Sequence, residues 1–169
     1  MSLRLYFSSM TDWVDDFVSK LSDEQRRANA ARAHALLSDR LITERGPAFF
    51  GQLVEEAKTQ AEEINSKLGA TIGTVTFQAE SLSFTLAADG SLKLTVLVAA
   101  NLPAHRIDVT ASKGGSQASA EATTSYPIVV SKLDHLGIEF DGKNTQHTPR
   151  GIVSNLLRAQ FKPEDLIPR

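Results

Sequence analysis

A chain of 169 residues, 41% hydrophobic and 22% charged, has the makeup of a folded domain with a sizeable core, which excludes a disordered segment or a fibrous repeat. Its net charge of -2 is spread evenly, with nine basic against eleven acidic residues up to Gly69 and nine against nine beyond it, so no clustered basic face offers itself to nucleic acid. The absence of cysteine excludes disulfides, thiolate metal sites and cysteine nucleophiles together.

The apolar stretch Leu3, Leu5, Tyr6 and Phe7 is too short for a secretory signal core and lacks a small-residue cleavage site, so a cytoplasmic location is expected. From Ser9 to Val18 the residues Trp13, Phe17 and Val18 share one helical face. Asp12, Asp15 and Asp16 occupy the first turns, where negative charge suits the helix dipole. Core packing is the expected role of Trp13, the only tryptophan. Ser22, followed three residues on by Gln25, reads as a capping box and predicts a second helix from Asp23. Ala28, Ala31, Ala35, Leu36, Leu41 and Ile42 lie near one stripe of it, and Arg45 to Pro47 should break it. Pro47 suits the first turn of a third helix. Phe50, Leu53, Val54, Ala57, Ala61, Ile64 and Leu68 keep its three-and-four spacing until Gly69 supplies the C-cap. The glutamates on the other side of this helix, at 55, 56, 62 and 63, read as a wet face.

After Gly69 the period changes to strict alternation. Val75 and Phe77, then Leu82, Phe84 and Leu86, then Leu92, Leu94, Val96 and Val98 each line one face of a strand, with Asp89-Gly90 as a hairpin turn between the last two. Leu97 and Ala99 make the second face of that strand apolar as well, so a helix or a partner subunit is expected to cover it. Ile107 and Val109 mark a further strand. Residues 117–125, rich in Ala, Ser and Thr, are weakly specified in register. Pro127 limits pairing in the next piece, Leu136, Ile138 and Phe140 give another strand, and Thr148-Pro149 start a helix that carries Ile152, Val153, Leu156, Leu157 and Phe161. Segregation of helices from strands predicts an α+β fold in one domain, 1–169. N-terminal helices over about 9–69 pack on one face of a five- to six-stranded antiparallel sheet over about 71–141, and a short C-terminal helix covers about 149–161.

Two motifs resemble known chemistry without carrying it. Gly137, four residues, Gly142 and Lys143 come one residue short of a phosphate-binding P-loop, with Asn144 in place of the Ser or Thr. Between the glycines, Ile138, Glu139, Phe140 and Asp141 alternate like a strand and include two carboxylates that would repel phosphate. A hairpin turning at Asp141-Gly142 is the better reading. Gly114 to Ala118 approaches a nucleophile elbow around Ser116, but no firm helix follows, and Asp134, His135 and His147 cannot be placed as partners by sequence. The histidines His34, His105, His135 and His147 show no metal-ligand spacing; His34, among alanines and leucines, is expected to be partly buried and hydrogen-bonded.

One polar run stands out. Lys143, Asn144, His147 and Arg150 lead into the last helix, whose N-terminal N–H groups favour an anion, so these four are the expected ligand-binding residues. No catalytic residues, metal or cofactor are assigned. The expected function is non-enzymatic binding or assembly, through a homo-oligomer or a protein partner, with neither nucleic acid nor membrane. The alternatives are a carrier of a small apolar ligand between helices and sheet, and an enzyme whose site the sequence does not declare.

Overall fold

The computed structural model of the chain describes residues 8–78, 80–88, 92–114, 122–142 and 144–161. One long helix, α1 (Ser8–Leu68), runs ahead of the sheet. The two breaks expected from the sequence do not occur. Ser22 caps nothing: it lies mid-helix, and its hydroxyl donates back to the Ser19 carbonyl at 2.9 Å. Pro47 stays inside the helix, although it cannot donate to the carbonyl of residue 43. Thr43 and Pro47 both face solvent, where water can take that carbonyl, while Leu41 and Ile42 before the proline and Phe49 and Phe50 after it are buried. Packing on both sides outweighs the lost bond. The helix ends where expected, with Gly69 at φ +65 and the Ala70 N–H returning to the Asn65 carbonyl at 3.3 Å.

Seven strands follow in a plain antiparallel meander: β1 (Gly73–Gln78), β2 (Ser81–Ala88), β3 (Leu92–Asn101), β4 (Arg106–Gly114), β5 (Ala122–Val130), β6 (Leu136–Phe140) and β7 (Asn144–Gln146). The fold is therefore α+β with an antiparallel sheet. Its strand count exceeds the expected five to six because three-residue β7, which the alternation does not announce, pairs with β6. The Asp89-Gly90 turn lies outside the described residues, but the pairing of Ala88 with Leu92 brackets it. Pro127 does not break its strand. It stands opposite Arg106 at the end of the β4–β5 ladder, and the next residue, Ile128, begins the pairing with β6.

Alternation sorts the sheet into two faces. Leu82, Phe84 and Leu86 stand beside Val98, Val96 and Leu94, and Val98 beside Val109; all are buried. On the same side lie Ile42, Phe49, Phe50, Leu53, Val54, Ala57 and Ala61 of α1. The second helix, α2 (Pro149–Gln160), adds Ile152, Val153, Leu156 and Leu157 to that cluster. The opposite face is mostly polar, rich in Ser and Thr with Arg106 and Asp108 among them, and on it Leu97 is 42% exposed, with no described element from Arg40 onward over it. Hydroxyl rungs link its strands, Thr85 to Thr95 at 3.2 Å and Thr110 to Thr123 at 2.9 Å.

Internal contacts divide the chain into two compact units, Met1–Asp39 and Arg40–Arg169, with the border inside α1. The sheet, α2 and the buried core belong to the second. In the first unit the described side chains are exposed from Trp13 onward, apart from half-buried Ser38. Trp13 is thus no core residue: it is 65% exposed and stacks on Phe17 with ring centroids 5.7 Å apart. His34 is exposed too, with the Ser38 hydroxyl 3.5 Å from its Nδ1.

Candidate functional site

The segment from Gly137 to Gly151 runs through β6, β7 and the start of α2. Gly137 to Phe140 is strand, paired with β5 through Gly137 and Ile138 and with β7 from Ile138 to Phe140, and not the loop that a phosphate cradle needs. Asp141 and Gly142 make the turn, both at positive φ, 53° and 66°. Gly137 has a different purpose. A Cβ there would sit 2.6 Å from the Gln146 carbonyl oxygen and closer still to the His147 imidazole, so only glycine lets β7 and His147 close onto β6.

Of the four residues expected to bind an anion, Lys143 lies outside the described residues. The structure disperses the other three. The Asn144 Oδ1 accepts from Gln146 Nε2 at 3.2 Å, and the residue lines a shallow hollow beside Tyr126, Phe140 and Arg158. In that hollow the Tyr126 hydroxyl is held above the usual phenol range, first by burial and then by the Asp141 charge. Arg150 turns back to α1, donating from Nη2 to both oxygens of Glu63 at 3.1 and 3.0 Å. Close by, Gln60 Nε2 donates to the Ser154 hydroxyl at 3.1 Å, and these contacts fix α2 to α1. At the start of α2 the Thr148 hydroxyl takes the Gly151 N–H at 3.2 Å, so the expected cap is present.

His147 faces elsewhere. Its Nδ1 lies 3.3 Å from the Leu136 carbonyl oxygen, and its ring lines a cleft of about 380 Å³ with Arg45, Phe49, Gln52 and His135. The 131–135 loop forms the rim. The Ser131 hydroxyl accepts from the backbone N–H groups of Leu133 and His135 at 3.2 Å each, and Asp134 takes positive φ. Arg45 reaches across to this loop, donating from Nη1 to the Asp134 carbonyl at 3.1 Å. The cleft therefore gathers one guanidinium and two imidazoles. From the sequence, His147 belongs to the expected anion-binding set at the helix start, His135 has no assignable place and Arg45 is part of an expected helix break. Arg45 and Asp134 stand 89 residues apart, and no local pattern links them.

On the open face of the sheet, Asp108 accepts from the Ser125 hydroxyl at 2.5 Å and pairs with Arg106 at 3.0 Å. The Ser125 bond, aided by the Arg106 charge, holds its carboxyl below the usual range. Among the described residues no group of three or more His, Asp or Glu side chains could hold a metal ion, and no helix is long and apolar enough to cross a membrane. Ser116 lies outside the described residues. Compared with family models, curated proteins and solved structures, the chain matches none.

Proposed function

We propose that this chain is a non-enzymatic binding or assembly module whose working surface is the first unit. One observation carries the reading. Trp13, Val14, Phe17, Val18, Leu21, Leu36 and Leu37 are each between 45% and 72% exposed on a helix that has no described cover. Exposed apolar surface on this scale, on a helix that is otherwise charged, marks an interaction face. It is also costly to leave in water: burying a side chain of this size is worth roughly 1.5–3 kcal/mol. Light scattering after size exclusion tests the reading. A mass above 18.3 kDa, or a stable complex with a partner, supports it. A strict monomer at high concentration that retains no partner counts against it.

The cleft around His147 favours a second reading, the binding of a small anion. Its support is the convergence of Arg45, His135 and His147. A guanidinium is suited to carboxylate or phosphate oxygens through paired N–H donors. This reading keeps His147 of the expected ligand set and takes Arg45 and His135 in place of Arg150, which is committed to Glu63.

A further inference from the structure

We infer that the first unit pairs with a second copy of itself, helix against helix and antiparallel, centred near Gln25. The inference rests on the assembly reading and adds to it the partner and the direction. At 100° per residue, Val14, Phe17, Leu21, Ala28, Ala35 and Leu36 fall within about 100° of arc, the width of a helix-packing stripe. Trp13 flanks the stripe and stacks on Phe17.

Two independent features fix the direction. The first is charge. Between Trp13 and Glu24 the helix carries Asp15, Asp16, Asp23 and Glu24 against Lys20, whereas between Gln25 and Leu37 it carries Arg26, Arg27 and Arg32 with no acid. Parallel copies would set acid on acid and arginine on arginine. Antiparallel copies set each acidic half along a basic half. The local pairs are Asp16–Lys20 and Asp23–Arg26, and among the described residues of the first unit Asp15, Glu24, Arg27 and Arg32 form no ion pair and are available to the partner. The second feature is volume. Along the stripe, Val14, Phe17 and Leu21 occupy the acidic half, and Ala28, Arg32, Ala35 and Leu36 occupy the basic half. Antiparallel pairing about residue 25 brings Leu21 toward Ala28 and Val14 toward Ala35, whereas parallel pairing sets each large side chain on its own copy. The area suffices in kind. Aromatic side chains bury roughly 150–250 Å² each, so the half-exposed Trp13 and Phe17 of two copies supply about a third of a standard interface near 1,600 Å². The aliphatic residues of the stripe supply the remainder.

The lack of cysteine allows a clean test on the full chain. Single variants Gln25→Cys and Ala35→Cys are oxidised and scored for disulfide-linked dimer, beside light scattering of the unmodified protein. In an antiparallel pair centred near Gln25 the two copies of residue 25 are neighbours, while the two copies of residue 35 lie about 30 Å apart along the axis. A disulfide needs Cα atoms within about 7 Å, so Gln25→Cys should cross-link about ten-fold or more beyond Ala35→Cys. A Phe17→Glu variant should run as a monomer while the amide signals of the β strands stay in place. A dimer that links equally at both positions overturns the antiparallel direction and leaves the assembly reading standing. A dimer that links at neither, or that survives Phe17→Glu, places the contact elsewhere and does the same. A monomer that holds no partner overturns both.

Discussion

Asn65 is the side chain whose loss should be felt most for its size. It sits one turn from the end of α1, and its amide reaches the first residues of the sheet. Its Nδ2 donates to the Gly73 carbonyl at 2.8 Å, and its Oδ1 accepts from the N–H groups of Ile72 at 2.8 Å and Gly73 at 2.6 Å. One side chain therefore satisfies three backbone groups at the turn from helix to β1. Each net hydrogen bond is worth about 0.5–1.5 kcal/mol, so three give about 1.5–4.5 kcal/mol. Two corrections lower this. The Ile72 N–H keeps a second acceptor, the Ala70 carbonyl at 3.1 Å, so its bond is only partly lost. Alanine is also the better helix former by about 0.7 kcal/mol. Asn65→Ala should therefore cost about 0.5–3 kcal/mol.

The assay is urea unfolding followed on the amide signals of β1 to β4, which report the second unit, with Ser66→Ala as the control. Ser66 is the exposed neighbour on the same helical turn, and its replacement touches propensity alone. If Asn65→Ala lies within about 0.5 kcal/mol of Ser66→Ala, a span no larger than ordinary surface substitutions cover, the three bonds do not hold the turn and the reasoning fails.

Two further outcomes follow from the same geometry. Gly137→Ala sets a methyl against the Gln146 carbonyl and the His147 ring, and overpacking of this kind should cost about 1–3 kcal/mol in thermal or urea unfolding. Gly142→Ala, in open space but at positive φ, should cost less, about 1 kcal/mol. Asp108 bears on acid stability. A carboxyl whose folded pKa lies below its unfolded value stabilises the fold above the unfolded pKa, about 3.9, and this contribution is lost as pH falls through the folded value. Ser125→Ala removes the main cause of the depression, so the variant should lose stability relative to the parent at pH 7 and converge on it as the pH falls through the folded value of Asp108. Parallel pH profiles for the two proteins would refute this.

Where the chain's period was local, sequence and structure agree. Alternation placed β2, β3, β4 and β6 and assigned their buried faces correctly, because a strand with one covered face must alternate. The three-and-four spacing from Phe50 to Ala61 did the same for the buried part of α1. Local capping rules failed where packing or helix continuity overrode them. Ser22-x-x-Gln25 has the letters of a helix start but lies inside a helix that is already propagating, and Pro47 is bridged by buried neighbours on both sides. The expectation for Trp13 failed for another reason: an apolar helical face signals burial against something, and periodicity does not say whether that is the same chain's core. The links that build the site, Arg45 to Asp134 and Arg150 to Glu63, join residues almost ninety positions apart and have no local pattern at all.

The two places where an anion would sit can be separated by one arginine each. At the α2 start, Arg150 is already held by both oxygens of Glu63, and Thr148 already takes the Gly151 N–H, so an incoming phosphate would have to displace a carboxylate to gain the guanidinium. In the cleft, Arg45 spends one N–H on the Asp134 carbonyl, while a guanidinium has five to offer. Phosphate should therefore raise the melting temperature through Arg45, and Arg45→Ala should remove that rise. Arg150→Ala should keep it, at a cost below about 1 kcal/mol for the exposed pair with Glu63. The reverse pattern would place the anion at the helix start with Lys143 and Arg150. A parent protein whose melting does not respond to phosphate would remove both sites.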